Sequence, residues 1–256
     1  MNKATILVSN RFSCEEKFKI IFKCKYAYFL KSEREYKSVL NTLKQDSEIV
    51  TLLKIPKLSF EGLRDKIKKT KREKGKITVL YAEFSPFQIY PFEWIGDFAL
   101  FPLKGFVSGN NKTRGYVFLS KDKEFPGISS DFPEMPYLET LESRRKMAEN
   151  TTLHLIREID GFKSIFKEIY YPYLTDKKNA KSFLKSQGNV FSIKFESIDT
   201  AESFKNKLSL FKKENFVFGS NLSSVKRYKN YLIFSIGLES VKDLVEDIRH
   251  AKASLK

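Results

Sequence analysis

Ser235-Ile236-Gly237-Leu238-Glu239-Ser240-Val241-Lys242-Asp243-Leu244-Val245-Glu246-Asp247-Ile248 is the stretch on which the reading of the fold turns. Leading into it, Tyr231 to Ile236 is a short apolar run of β-forming residues, and Gly237 breaks it. Ser240 with Asp243 has the form of a capping box. Val241, Leu244, Val245 and Ile248 then recur at helical spacing on one face. The stretch predicts a strand, a turn and an amphipathic helix.

Working back from it, Phe216 to Gly219 reads as a strand. Ala201 to Lys212 reads as a helix capped by Asp199 with Glu202 three on. Phe191, Ile193 and Phe195 alternate with Ser192, Lys194 and Glu196, which predicts an antiparallel sheet with one wet face. Lys177 to Ser186 reads as a helix, Ile165 to Tyr170 as a strand, and Leu138 to Asp160 as a long helix. The second half is thus an α+β unit. Residues 121–137 carry Pro126, Pro133, Pro136 and Gly127, a linker composition.

The first half alternates strands (Ile6 to Val8, Tyr26 to Leu30, Ile49 to Leu53, Ile77 to Ala82) with helices (Cys14 to Phe22, Tyr36 to Leu43, Phe60 to Lys68). Phe98 to Phe101 and Tyr116 to Leu119 are further strands. This order predicts a mostly parallel sheet with helices on its faces. The expected organisation is a first domain over 1–125, a linker over 126–137 and a C-terminal domain over 138–256.

The 256 residues, 41% hydrophobic and 30% charged, suit one large domain or two small ones with their own cores. No apolar run approaches a membrane span, and the first eight residues do not form a signal peptide, so the cytoplasm is the expected compartment. Cys14 and Cys24 have neither metal spacing nor a bridge geometry within the helix that the pattern gives them. A net charge of +16 raises nucleic acid as a partner. Its densest run, Lys66, Lys68, Lys69, Lys71, Arg72, Lys74 and Lys76, has no interleaved aromatics and reads as a solvated helix end closed by Gly75, which argues against that partner.

The C-terminal stretch resembles the signature of the Cys/Met-metabolism PLP-dependent enzymes, the transsulfuration family of cystathionine γ-synthase. In register with it, Val79 to Pro86 resembles the family's strand ending in Glu-Thr-Pro, and Pro91 to Leu100 its Pro-Leu-Glu, Gly-Ala-Asp and aliphatic strand. Lys104 falls at the Schiff-base position, with Gly115 eleven beyond it. Leu138 to Leu141 through Arg144 resembles the helix that follows, and Ile169 to Leu174 the family's Tyr-Pro-Gly-Leu. The resemblance implies an α/β fold: a shortened PLP-transferase-like large domain of the aspartate aminotransferase type, mostly parallel, followed by the family's C-terminal α+β domain. It implies PLP as cofactor, Lys104 as its anchor, and Ser9, Asn10 and Arg11 at the phosphate loop.

The same register shows what PLP chemistry would lack here. Only Phe87, Gln88, Ile89 and Tyr90 separate Pro86 from Pro91, so the segment carrying the pyridinium-binding Asp is missing. Phe101 and Leu103 replace the cradle's Ser and Thr, and Ser9-Asn10-Arg11-Phe12 has no glycine. The ring-stacking tyrosine falls near Ser32. The carboxylate-binding arginine corresponds to Ile233, an aliphatic in place of a bidentate guanidinium. The resemblance likewise leads to the expectation that the family's N-terminal arm has no counterpart.

Outside the resemblance, His154 and His250 lie in no metal or triad spacing, and no P-loop, dinucleotide fingerprint or nucleophile elbow occurs. Glu83 with Asp97 beside Lys104 forms a candidate carboxylate pair at the carboxyl ends of parallel strands. The resulting expectation is a degenerate, non-catalytic family member from which PLP has been lost. It would bind itself as a homodimer or a longer relative. A divergent PLP-dependent lyase or synthase using Lys104 is the alternative, and a basic nucleic-acid-associated module a second one.

Overall fold

The structure is a computed structural model that describes residues 12–51, 56–80, 96–103, 105, 107, 114–135, 138–162, 165–214, 216 and 218–255. The chain divides into two compact units, 1–52 with 61–142, and 53–60 with 143–256. Residues 126–135, in the proline-rich stretch, belong to the first of these.

In the first unit, Ser13 and Glu16 form a complete capping box: the Glu16 N–H donates to Ser13 Oγ at 3.2 Å and the Ser13 N–H to Glu16 Oε2 at 2.7 Å. They open α1 (Cys14–Phe22), which buries Phe18, Ile21 and Phe22. Cys24 lies beyond the helix, past the left-handed Lys23 that ends it. Then follow β1 (Tyr26–Leu30), α2 (Glu33–Asp46), β2 (Glu48–Thr51), α3 (Leu63–Lys74), β3 (Ile77–Leu80), β4 (Phe98–Pro102) and β5 (Tyr116–Ser120). The sheet order is β1-β5-β4-β3-β2, with β2, β3 and β4 parallel and β5 antiparallel to both its neighbours. Four strands therefore run one way, the mostly parallel sheet expected of alternating strands and helices.

Both faces of this sheet are buried, which is why its strands are continuous apolar runs. Along β4, Phe98 and Leu100 join Tyr28, Leu43, Phe118 and Phe125 on one side. Phe101 points to the other, with its ring centre 6.2 Å from Phe18 and 5.9 Å from Phe22. α3 starts three residues later than the pattern predicts and runs six further, to a cap at Gly75. The Phe60 N–H that would have opened it is donated to Asp176 instead. The expected strand Ile6 to Val8 lies outside the described residues.

The second unit contains α4 (Leu141–Ile159) from Ser143 onward, β6 (Phe166–Tyr170), α5 (Pro172–Thr175), α6 (Lys177–Phe183), β7 (Val190–Phe195), α7 (Ile198–Lys207), β8 (Ser224–Tyr228), β9 (Tyr231–Ser235) and α8 (Val241–Ala253). Its sheet is antiparallel throughout, in the order β6-β7-β9-β8. Phe191, Ile193, Phe195, Leu232 and Phe234 form one face and pack with Leu155, Phe204, Leu244 and Ile248 of the helices.

Several boundaries depart from the pattern for identifiable reasons. β8 replaces the strand expected at Phe216 to Gly219, which is a turn in its described part. Ser-Val-Lys-Arg-Tyr is an edge strand with only Val225 in the core, so it carries little apolar signal. α7 is capped by Ser197, whose Oγ accepts the Thr200 N–H at 3.0 Å, and not by Asp199. It ends at Lys207, because the N–H groups of Ser209 and Leu210 turn to the buried Asp247 carboxylate at 2.8 and 3.0 Å. The sheet's second face is wet only at one end. Lys194 pairs there with the exposed Glu168 at 3.6 Å, whereas Ser192 is fully buried.

Candidate functional site

Several of the described residues that carry the family resemblance have a structural occupation. Ser235 Oγ accepts the Gly219 N–H at 2.9 Å. Glu239 takes the Ser223 N–H at 2.6 Å and its hydroxyl at 2.7 Å, and the Gly237 N–H reaches Ser223 Oγ at 2.9 Å. The Leu238 N–H donates to the Asn221 carbonyl at 2.9 Å. A β-carbon on residue 237 would stand 2.3 Å from that carbonyl oxygen, so only glycine fits. The stretch is a brace between the β9–α8 turn and loop 219–223. Ser240 caps α8 through its backbone only, with no side-chain bond, so the expected capping box does not form.

Gly115 has a comparable role. Its φ of +116° and a phantom β-carbon 2.4 Å from the Phe29 ring exclude other residues, and its carbonyl accepts the Leu103 N–H at 3.0 Å. Tyr171, at the Tyr-Pro position, is fully buried, donates its hydroxyl to the Gly188 carbonyl at 2.9 Å, and has its phenol pushed up by desolvation. Asp97 orders the start of β3, accepting the Ile77 N–H at 3.0 Å while donating its own N–H to the Ile77 carbonyl. Glu83, the other member of the candidate carboxylate pair, lies outside the described residues. So do Lys104 and Ser9, Asn10 and Arg11.

The positions that the resemblance assigns to cofactor and substrate, where described, hold other chemistry. Phe101 and Leu103 are 1% and 0% exposed. Ser32 is the N-cap of α2, its hydroxyl accepting the Glu35 N–H at 3.2 Å. Ile233 is 1% exposed and pairs with Ser192 across β7 and β9, on the sheet face opposite Leu232 and Phe234. Among the described residues no group of three or more His, Cys, Asp or Glu gathers as a metal site. His154 is exposed on α4, and His250 lies 3.3 Å from Glu246 one turn back on α8. Lys68, Lys69, Lys71, Arg72 and Lys74 are all exposed along α3. No helix of the described residues is long and apolar enough to cross a membrane.

This architecture aligns with cystathionine gamma synthase from Xanthomonas oryzae pv. oryzae, solved in complex with aminoacrylate and cysteine. The TM-score is 0.80 at 15% identity, over 99% of this chain and 98% of that one. The chain has the PLP-dependent transferase fold. A methionine gamma lyase from Micromonospora echinospora aligns at TM-score 0.79 and 16% identity, covering 99% of each chain. A putative O-acetylhomoserine (thiol)-lyase from Campylobacter jejuni aligns at 0.74 and 14%, over 93% of this chain and 84% of its own, and carries N'-pyridoxyl-lysine-5'-monophosphate. No family model matches the sequence, and no curated protein matches it.

On this PLP-transferase scaffold, the described residues at the positions that the resemblance assigns to cofactor and substrate do not fit PLP and an amino-acid carboxylate. Phe101 and Leu103 offer no hydroxyl to a phosphate, and Ile233 offers no donor to a carboxylate. Asp176 and Asp247 were not singled out by sequence pattern, since each acts on backbone N–H groups distant in the chain.

Proposed function

We propose that this chain is a degenerate, non-catalytic relative of the cystathionine γ-synthase-like enzymes. It keeps the scaffold, does not use PLP, resides in the cytoplasm, and acts by binding a second copy of itself or a longer relative. The observation that carries the reading is Ile233. At the position that the resemblance gives to a carboxylate-binding arginine, the chain buries an aliphatic side chain to 1% exposure. A guanidinium placed there would need a carboxylate partner to offset its desolvation. Phe101, packed on Phe18 and Phe22, supports the reading from the cofactor side.

The test is incubation with PLP followed by gel filtration. The reading predicts that no PLP travels with the protein. One PLP retained per chain would overturn it in favour of a lyase or synthase working through Lys104.

A further inference from the structure

The wet end of the second unit's sheet gathers aromatic rings and lysines from four different strands. Direct cross-strand partners share a face. The pairings Glu168 with Lys194, Lys194 with Tyr231 and Tyr231 with Tyr228 therefore lay one row of side chains across β6, β7, β9 and β8. In the row beside it, Tyr170 faces Ser192, Ser192 faces Ile233, and Ile233 faces Lys226. The middle of that second row is closed: Ser192 donates its hydroxyl to the Pro56 carbonyl, and Ile233 is buried. What stays open is the first row with Tyr170 and Lys226 at its flanks.

Tyr228, 43% exposed, is the most exposed aromatic side chain described. Tyr231 opposite it is half-buried, with its ring centre 6.0 Å from that of Tyr170. The lysines lie among these rings. Lys194 Nζ stands 6.0 Å from the centre of the Tyr231 ring, and Lys226 Nζ 6.0 Å from that of Phe216, the outer reach of a cation–π contact. The acid of the row is already engaged, since Glu168 accepts the Tyr170 hydroxyl and lies 3.6 Å from Lys194. Lys226 has no ion pair among the described residues, so it is the charge left for a ligand.

We propose that this end of the sheet binds a nucleotide, with its base stacked on the Tyr228 and Tyr231 pair and its phosphate drawn to Lys226. Exposed rings on a four-stranded antiparallel face offer flat surfaces on which any base stacks. The lysine beside them selects a ring that carries an anion, in keeping with the net charge of +16. The size of the surface argues for a ligand and not a protein. The open row spans three strand spacings, about 14 Å, far less than the roughly 800 Å² that a stable protein interface needs on each side. The site is separate from the lysine face of α3 and does not depend on self-binding.

Equilibrium dialysis at physiological salt with adenosine monophosphate, adenosine and inorganic phosphate tests it. Adenosine monophosphate should bind, adenosine about threefold more weakly for want of the charge, and phosphate alone most weakly. Tyr228→Ala should weaken nucleotide binding by roughly fivefold or more, and Lys226→Ala by about threefold. Changing Lys68, Lys69, Lys71 and Arg72 together to Glu should leave it unchanged. Should a variant fail to fold, tyrosine-labelled NMR of the wild type decides: added nucleotide should move the Tyr228 and Tyr231 ring signals and leave that of the buried Tyr171 in place. No retained nucleotide, phosphate binding as tightly as the nucleotide, binding indifferent to Tyr228→Ala, or unmoved Tyr228 and Tyr231 signals would each overturn the site.

Discussion

Replacing Gly237 by alanine isolates the structural role of the residues that most resemble the transsulfuration enzymes. The added β-carbon would lie 2.3 Å from the Asn221 carbonyl oxygen and 2.7 Å from Glu239 Oε2. Ordinary contact requires 3.4 Å or more, so the loop must retreat by roughly 1 Å. The nearest obstacle is backbone, which cannot swing aside as a side-chain end could. The retreat strains the Leu238 to Asn221 bond at 2.9 Å and the Ser223 to Glu239 bonds at 2.6 and 2.7 Å. Overpacking of this kind costs about 1–3 kcal/mol, and each hydrogen bond weakened adds about 1 kcal/mol. The sum is roughly 4–6 kcal/mol, and a urea slope of about 2 kcal/mol per molar turns it into a midpoint lower by about 2–3 M. Far-UV circular dichroism in urea measures it. Gly161→Ala is the control, because a β-carbon there meets nothing within 4 Å and its φ lies outside the left-handed region. It should shift stability by less than about 0.5 kcal/mol. A Gly237→Ala midpoint indistinguishable from that of Gly161→Ala would refute the reasoning.

Restoring the arginine, Ile233→Arg, should cost about 3 kcal/mol or more, because a charge would enter a site of 1% exposure. Urea unfolding reads the loss, and a variant as stable as the wild type would mean that the face can open. Burial pushes the Cys24 thiol from 9.0 to about 12, so it should resist alkylation at about pH 8 until the protein unfolds. The unfolded chain gives up this proton first, so the stability it contributes is intact below pH 9.0 and lost progressively towards about pH 12, a window that unfolding measured against pH checks. Nucleic acid should bind weakly and without sequence preference at low salt, through the exposed basic face of α3, and release near physiological salt. Submicromolar binding at physiological salt, lost when Lys68, Lys69, Lys71 and Arg72 become Glu, would make that face a functional surface.

What could be read in the sequence was whatever repeats locally. Helix α1 and strand β1 match the expected spans residue for residue, because a complete cap and an unbroken apolar run each lie within a few neighbours. The alternation of strands and helices likewise announced the parallel sheet. Two of the misplaced boundaries involve partners far apart in the chain. Asp247 ends α7 from 37 residues away, and Asp176 delays α3 from 116 away. The wet face expected around Ser192 failed for the same reason, since its cover comes from Pro56, 136 residues earlier. At the candidate site, sequence spacing located Gly115, Ser235, Gly237 and Glu239 as special positions. Only the geometry revealed that Gly237 yields to a carbonyl and that Glu239 holds a serine.

The most direct measurement is the visible absorbance spectrum of the protein as purified and after addition of PLP, recorded for the wild type and for Lys104→Ala. The account predicts two identical spectra with no visible band from bound cofactor, since Phe101, Leu103 and Ile233 are buried apolar residues where the resemblance places phosphate and carboxylate donors. A visible band present in the wild type and abolished by Lys104→Ala would contradict it, and would make this chain a working PLP enzyme.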